Sequence, residues 1–157
     1  MILGITGHRP TELGGYNIDN PTYKRVYSLV KKSFKELNPE IIISGMALGA
    51  DQLAIEAAIE LDIPFLAAVP FIGQESVWPA ESKKKYKELL TKAKENVVVS
   101  LGSYSPAKLH LRNHWIVNHS DQLLAIWNGK QSGGTFECVN FAKTKENYPI
   151  TIISPQG

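Results

Sequence analysis

The chain is poor in cysteine: Cys138 is the single one among 157 residues. One cysteine excludes an intramolecular disulfide, and a reducing cytoplasm is the expected setting. Long apolar runs are also missing. None approaches the roughly 20 residues that span a bilayer, and no lipidation signal stands at either end, so no membrane association is expected. With the first strand expected to begin at Ile2, no signal peptide is expected. Charge of one sign is scarce too, with 17 Lys and Arg against 15 Asp and Glu, a net of +2. That balance gives little reason for tight binding to a nucleic-acid backbone, so nucleic acid is an unlikely partner and any basic site has to be local. Neither a Walker A pattern nor GxGxxG occurs, which excludes the usual nucleoside-triphosphate and dinucleotide fingerprints. No repeat, low-complexity tract, linker or composition shift divides the chain, so residues 1–157 are expected to form one domain.

What the sequence does contain is alternation. Ile2–Thr6, Glu40–Ser44, Phe65–Pro70, Asn96–Leu101, Gln122–Trp127 and Tyr148–Ile153 are short apolar runs that read as strands. Between the first two, Asn20-Pro21 is a helix start, and Tyr23, Val26, Tyr27, Val30, Phe34 and Leu37 recur at helical spacing. Ala50–Leu61, Pro79–Lys94, Ser105–His119 and Gly134–Lys143 read as the remaining helices. The order βαβαβαβαβαβ, with strands apolar on both faces, predicts a three-layer α/β sandwich around a mainly parallel sheet of about six strands.

In such a sheet ligands bind beyond the carboxyl ends of the strands, where loops lead into helices. All five of those loops carry glycine: Gly7-His8-Arg9-Pro10, Ser44–Asp51, Pro70–Glu75, Gly102–Ser105 and Asn128–Thr135. Together they hold basic residues, hydroxyls and carboxylates, whereas opposite-end loops such as Leu61–Pro64 are bare turns. This asymmetry favours a ligand site over simple turn chemistry.

Ser132-Gly133-Gly134-Thr135 opens a helix, where free N–H groups and the helix dipole favour a phosphate; a hydroxyl helix cap would explain the same residues. Gly45, Gly49 and Asp51 form a second glycine loop. Asp51 can accept from ribose hydroxyls or can serve as a helix N-terminal cap. Arg9 and His8, after Gly7, can face an anion. Arg112, amid apolar neighbours, needs either a bound anion or an internal carboxylate. Gln74, Glu75 and Trp78 can read and stack on a base, or Trp78 can belong to the core. His110 and His114 have i, i+4 spacing but lack the accompanying ligands of a zinc site, so no metal and no cofactor are expected.

Gly7-His8-Arg9-Pro10, Ser44–Asp51, Pro70-Phe71-Ile72-Gly73-Gln74, Arg112-Asn113-His114-Trp115 and Trp127–Thr135 together resemble the YpsA-like branch of the SLOG superfamily. That superfamily groups DprA-type and LOG-type Rossmann-like domains, and the resemblance spans nearly the whole chain. It implies a Rossmann-like fold and a site for nucleotides or ADP-ribose-like ligands, serving a sensor or a sequestering protein, with self-association possible. LOG-type relatives cleave an N-glycosidic bond with a helix arginine, which Arg112 resembles, and a glutamate. The position matching that glutamate holds Cys138. Glu137 is one residue early, a rotation of about 100 degrees on a helix, which makes it a poor substitute. Enzymatic activity is therefore not the leading expectation; an N-glycosidase using Glu75, Asp51 or Arg112 is the alternative. Single-stranded DNA binding, as in DprA-type relatives, is the third.

Overall fold

The computed structural model describes residues 1–157. Asn20 and Pro21 start the first helix as their chemistry dictates: Asn20 Oδ1 accepts from the Tyr23 N–H at 2.8 Å, and proline occupies a position that needs no N–H. This helix, α1 (Pro21–Leu37), buries Val26, Val30 and Phe34 along one stripe and ends at Asn38 in the left-handed conformation, φ 48°. The others are α2 (Ala50–Glu60), α3 (Ala80–Lys92), α4 (Pro106–Asn118) and α5 (Gly134–Lys143).

The strands β1 (Ile2–Gly7), β2 (Ile41–Ser44), β3 (Phe65–Val69), β4 (Glu95–Val98), β5 (Gln122–Ile126) and β6 (Ile150–Ile153) form a single sheet. Its order is β4-β3-β2-β1-β5-β6, and every neighbouring pair is parallel. Side chains alternate between the faces with period two. Leu124 and Ile126 join the larger core with α1, α2 and α3, while Leu123 and Ala125 join a smaller one with Val117, Cys138 and Val139 of α4 and α5. This is the three-layer, Rossmann-like α/β sandwich.

Two details differ from the sequence expectation. β4 is not apolar on both faces: it is an edge strand with exposed Glu95, Asn96 and Val98, covered less than the central strands. The loop after β1 also contains a short 3-10 turn, Pro10–Leu13, anchored by fully buried Leu13 and closed by Gly14 at φ 85°.

Connectivity creates the site. From β1 the chain steps outward to β4, after which α4 crosses the sheet to β5, on the other side of β1. The loops leaving β1 and β5 therefore diverge and open a crevice at their carboxyl ends.

Candidate functional site

At the end of β1, packing demands glycine. A Cβ on Gly7 would stand 2.4 Å from Ala50 Cβ and 2.9 Å from Ile126 Cβ. The next residue ties three elements together. His8 accepts the Ala50 N–H at its carbonyl, 2.9 Å, and the Asn128 N–H at Nε2, 2.9 Å. With Nε2 an acceptor, the neutral ring carries its hydrogen on Nδ1. His8 is thus a clamp that joins the loop after β1 to the start of α2 and the loop after β5, and it holds exposed Arg9 at the crevice.

The crevice is a cavity of about 380 Å³. Of the residues expected from the sequence, Gly7, His8, Arg9, Asp51, Arg112, Ser132, Gly133, Gly134 and Thr135 line it together. Gly45, Gly49, Gln74 and Glu75 do not. Hydrogen bonds show what two of them do, and close packing what a third does. Gln74 is buried and gives its amide N–H groups to Gly45 O and Tyr86 Oη, each at 3.1 Å, so it is not free to read a base. Trp78 lies edge-on to Tyr86 with ring centroids 5.2 Å apart and packs on the larger core, the second of the two places the sequence left open for it. Gly45 makes room for Arg112: its carbonyl accepts from Arg112 Nη1 at 2.8 Å, and a Cβ there would lie 2.4 Å from that nitrogen. Gly49, at φ 97°, lets the backbone of His8 and Arg9 pass over the start of α2. Glu75 keeps one carboxylate oxygen buried without a partner.

Arg112 is 4 % exposed, at the cavity wall. Of its five guanidinium N–H groups, Nε donates to Asn113 Oδ1 and one Nη1 hydrogen to Gly45 O, which leaves three without an acceptor in the chain. Asp51, also buried, accepts the Ala47 N–H at Oδ2, 3.2 Å, while Oδ1 has no donor within the chain. The two side chains share the cavity without a direct ion pair. Burial pushes the Asp51 carboxyl above its ordinary range, against the pull of Arg112, Arg9 and the Ala47 N–H. Burial likewise draws Arg112 downward, opposed by Asp51. Each of these buried polar groups lacks its full complement of partners, the condition in which a bound ligand of complementary polarity gains most.

The start of α5 forms the facing wall. Gly133, at φ 92°, supplies no side-chain cap, and the N–H groups of Gly134, Thr135 and Phe136 have no acceptor in the chain. Added Cβ atoms on Gly133 or Gly134 would meet nothing within 4 Å. One turn further on, neither candidate for a catalytic glutamate's place enters the cavity. Burial holds the Cys138 thiol protonated, its pKa pushed up to about 12, and it is 1 % exposed. Glu137 turns toward α4, 2.5 Å from His114 Nε2 and 3.5 Å from His110 Nδ1.

Five lining residues were not named as ligand-binding from the sequence: Thr11 and Glu12 on the 3-10 turn, Lys130 in the loop before the glycine turn, Asn113 on α4, and His110, which the sequence raised only as half of a metal-type pair. Pro10 followed by an acidic residue was the available signal for the turn. On α4 the buried-looking Arg112 was the one local mark of the face that looks into the crevice.

With this geometry in view, the chain belongs to the YspA SLOG family, whose model matches residues 3–157. It is 33% identical over 144 residues to the SPbeta prophage-derived protein YoqJ of Bacillus subtilis, covering 79% of this chain and 84% of that one. A UPF0398 protein of Bacillus thuringiensis is 28% identical over 159 residues, covering 94% and 86%. Among solved structures, DNA processing protein A from Helicobacter pylori, described with a single-stranded DNA binding mode, superposes with a TM-score of 0.68 at 17% identity. That match covers 97% of this chain but only 64% of the longer DprA chain. The molybdenum cofactor binding protein of Rippkaea orientalis gives a TM-score of 0.59 at 15% identity over 98% and 76% of the two chains. At such identities the structural likeness concerns the fold. No helix is long and apolar enough to cross a membrane.

Proposed function

We propose that this chain binds a nucleotide or nucleotide-derived, ADP-ribose-like ligand in the crevice between the ends of β1 and β5, as a sensor or sequestering protein. The observation that carries the reading is the first turn of α5. Three N–H groups, no cap and two glycines without side chains leave a surface onto which a phosphate can settle, with the helix dipole in its favour. Arg112, with three unused donors, and Arg9 add positive charge to the same cavity. Asp51 Oδ1 offers an acceptor to ribose hydroxyls.

The N-glycosidase alternative needs an ionised carboxylate against the anomeric carbon. Cys138 is buried and protonated, Glu137 is hydrogen-bonded to His114 outside the cavity, and Glu75 is outside it too, so Asp51 and Glu12 remain as carboxylates on its wall. Burial works against ionisation of Asp51, which favours binding over cleavage.

Calorimetric titration with AMP and ADP-ribose, followed by chromatography of the recovered ligand, tests the reading. Saturable binding with intact ligand is expected. Release of free base would move the protein to the N-glycosidases. Silence toward both ligands, with salt-sensitive retention on single-stranded DNA, would overturn the proposal in favour of a DprA-like role.

A further inference from the structure

A second cavity, of about 490 Å³, adjoins the crevice. Thr11 and Glu12 line both, so the 3-10 turn is a ridge between them, seated by fully buried Leu13. Beyond the ridge the polar lining is Thr22 and Arg25 of α1 and Gln156 after β6. Arg25 is half-buried, and its Nη2 donates to the carbonyls of Ser154 and Pro155, tying α1 to the segment after β6. That tether uses one nitrogen; Nε–H and both Nη1 hydrogens have no acceptor in the chain. The other arginines, Arg9 and Arg112, line the crevice. Every salt bridge is made by a lysine, a histidine or the amino terminus, so no arginine of the chain has a carboxylate partner.

Unpaired guanidinium forks on both sides of one ridge suit two phosphates, one in each cavity. The ridge itself does not suit a phosphate, because it carries the Glu12 carboxylate, held by the Thr11 hydroxyl. What crosses it has to be neutral and able to donate, as a sugar hydroxyl is. The adjacent phosphates of a pyrophosphate do not meet this arrangement; phosphates on opposite sides of a nucleoside do. We infer that the second cavity is a phosphate subsite built on Arg25, and that the ligand is a nucleoside phosphorylated on both its 5′ and 3′ sides. The inference rests on the nucleotide reading and extends it into a cavity that the reading leaves out. A free nucleoside 3′,5′-bisphosphate and the 5′ end of an oligonucleotide share this chemistry.

Calorimetric titration of the full chain with AMP, ADP, adenosine 3′,5′-bisphosphate and the 5′-phosphorylated dinucleotide pApA separates the possibilities. The bisphosphate or pApA should bind about 10- to 100-fold tighter than AMP, and ADP within about threefold of it. A gain for the free bisphosphate assigns a small molecule; a gain for pApA alone assigns a strand end. Thr22→Glu keeps the tether, suits a helix start and puts a carboxylate three positions before Arg25 on α1, whereas Arg25→Met removes the donors. Each variant, its folding checked by the thermal midpoint, should erase the gain over AMP. Equal affinities for AMP, the bisphosphate and pApA, or the same gain for ADP, would overturn the inference while sparing the nucleotide reading. So would a gain that survives in either folded variant. No binding by any of these compounds would end both readings.

Discussion

The turns into α2 and α5 look alike in sequence and in backbone: each has a positive-φ glycine just before the helix, Gly49 at 97° and Gly133 at 92°. Around Gly49 the space is full. An added Cβ would lie 2.5 Å from His8 O and 2.8 Å from the Arg9 carbonyl carbon, and the Ala50 N–H is taken by His8. Around Gly133 the space is empty, and the first N–H groups of α5 have no acceptor. The loop after β1 lies across one turn and leaves the other open. A glycine before a helix is therefore a ligand-site signal only where no second segment has claimed the same helix start.

The sharpest way to break this comparison is to put the same methyl group on both turns. Gly49→Ala should cost about 3 kcal/mol or more, since strain from its φ adds to backbone overlap, and failure to accumulate folded protein is within that expectation. Gly133→Ala carries the φ strain without the overlap and should cost about 1–2 kcal/mol. Urea unfolding of the pair measures the difference; equal losses would mean that the turns are equally packed.

Next in size is Gly45→Ala. Its Cβ would lie 2.4 Å from Arg112 Nη1, so the guanidinium has to leave the Gly45 carbonyl. A loss of about 1–3 kcal/mol is expected for the exposed buried acceptor, together with weaker binding of AMP in the calorimetric assay.

The smallest effects concern protons. Burial raises the Asp51 carboxyl above 3.8, so the folded state holds its proton more tightly than the unfolded chain. Its contribution thus favours folding most at low pH and fades as pH rises from 3.8 through the folded value. Asp51→Asn should show a flatter stability profile across that window when denaturant midpoints are compared. By the same sign, the Cys138 thiol, raised from 9.0 to about 12, should lower stability as pH climbs above 9.0, a decline that Cys138→Ala should lack.

Much of the fold was legible because hydrophobic periodicity reports burial directly. The Asn20-Pro21 start, the Val26, Val30, Phe34 stripe and the apolar run of β5 each followed from local rules. The bare, polar edge strand β4 did not, because position at the rim of a sheet is a property of strand order. In the candidate site, Arg9, Asp51, Arg112 and the Gly133-Gly134 turn could be nominated from loop position, and they do line one cavity. Gln74 and Trp78 were nominated by the same logic and do not line it, because loop position cannot show which side chains a neighbouring helix consumes.

Alone, the sequence determined a parallel α/β sandwich and the residue types gathered at one edge of its sheet, since alternation and spacing act over a few residues. Tertiary structure decided which helix start stays open, which glycine is crowded, and that Arg112 reaches the carbonyl of Gly45 across 67 positions. Those outcomes depend on the crossing of α4 over the sheet, which brings distant segments within van der Waals and hydrogen-bonding range, where ångström-scale space settles the function of each group.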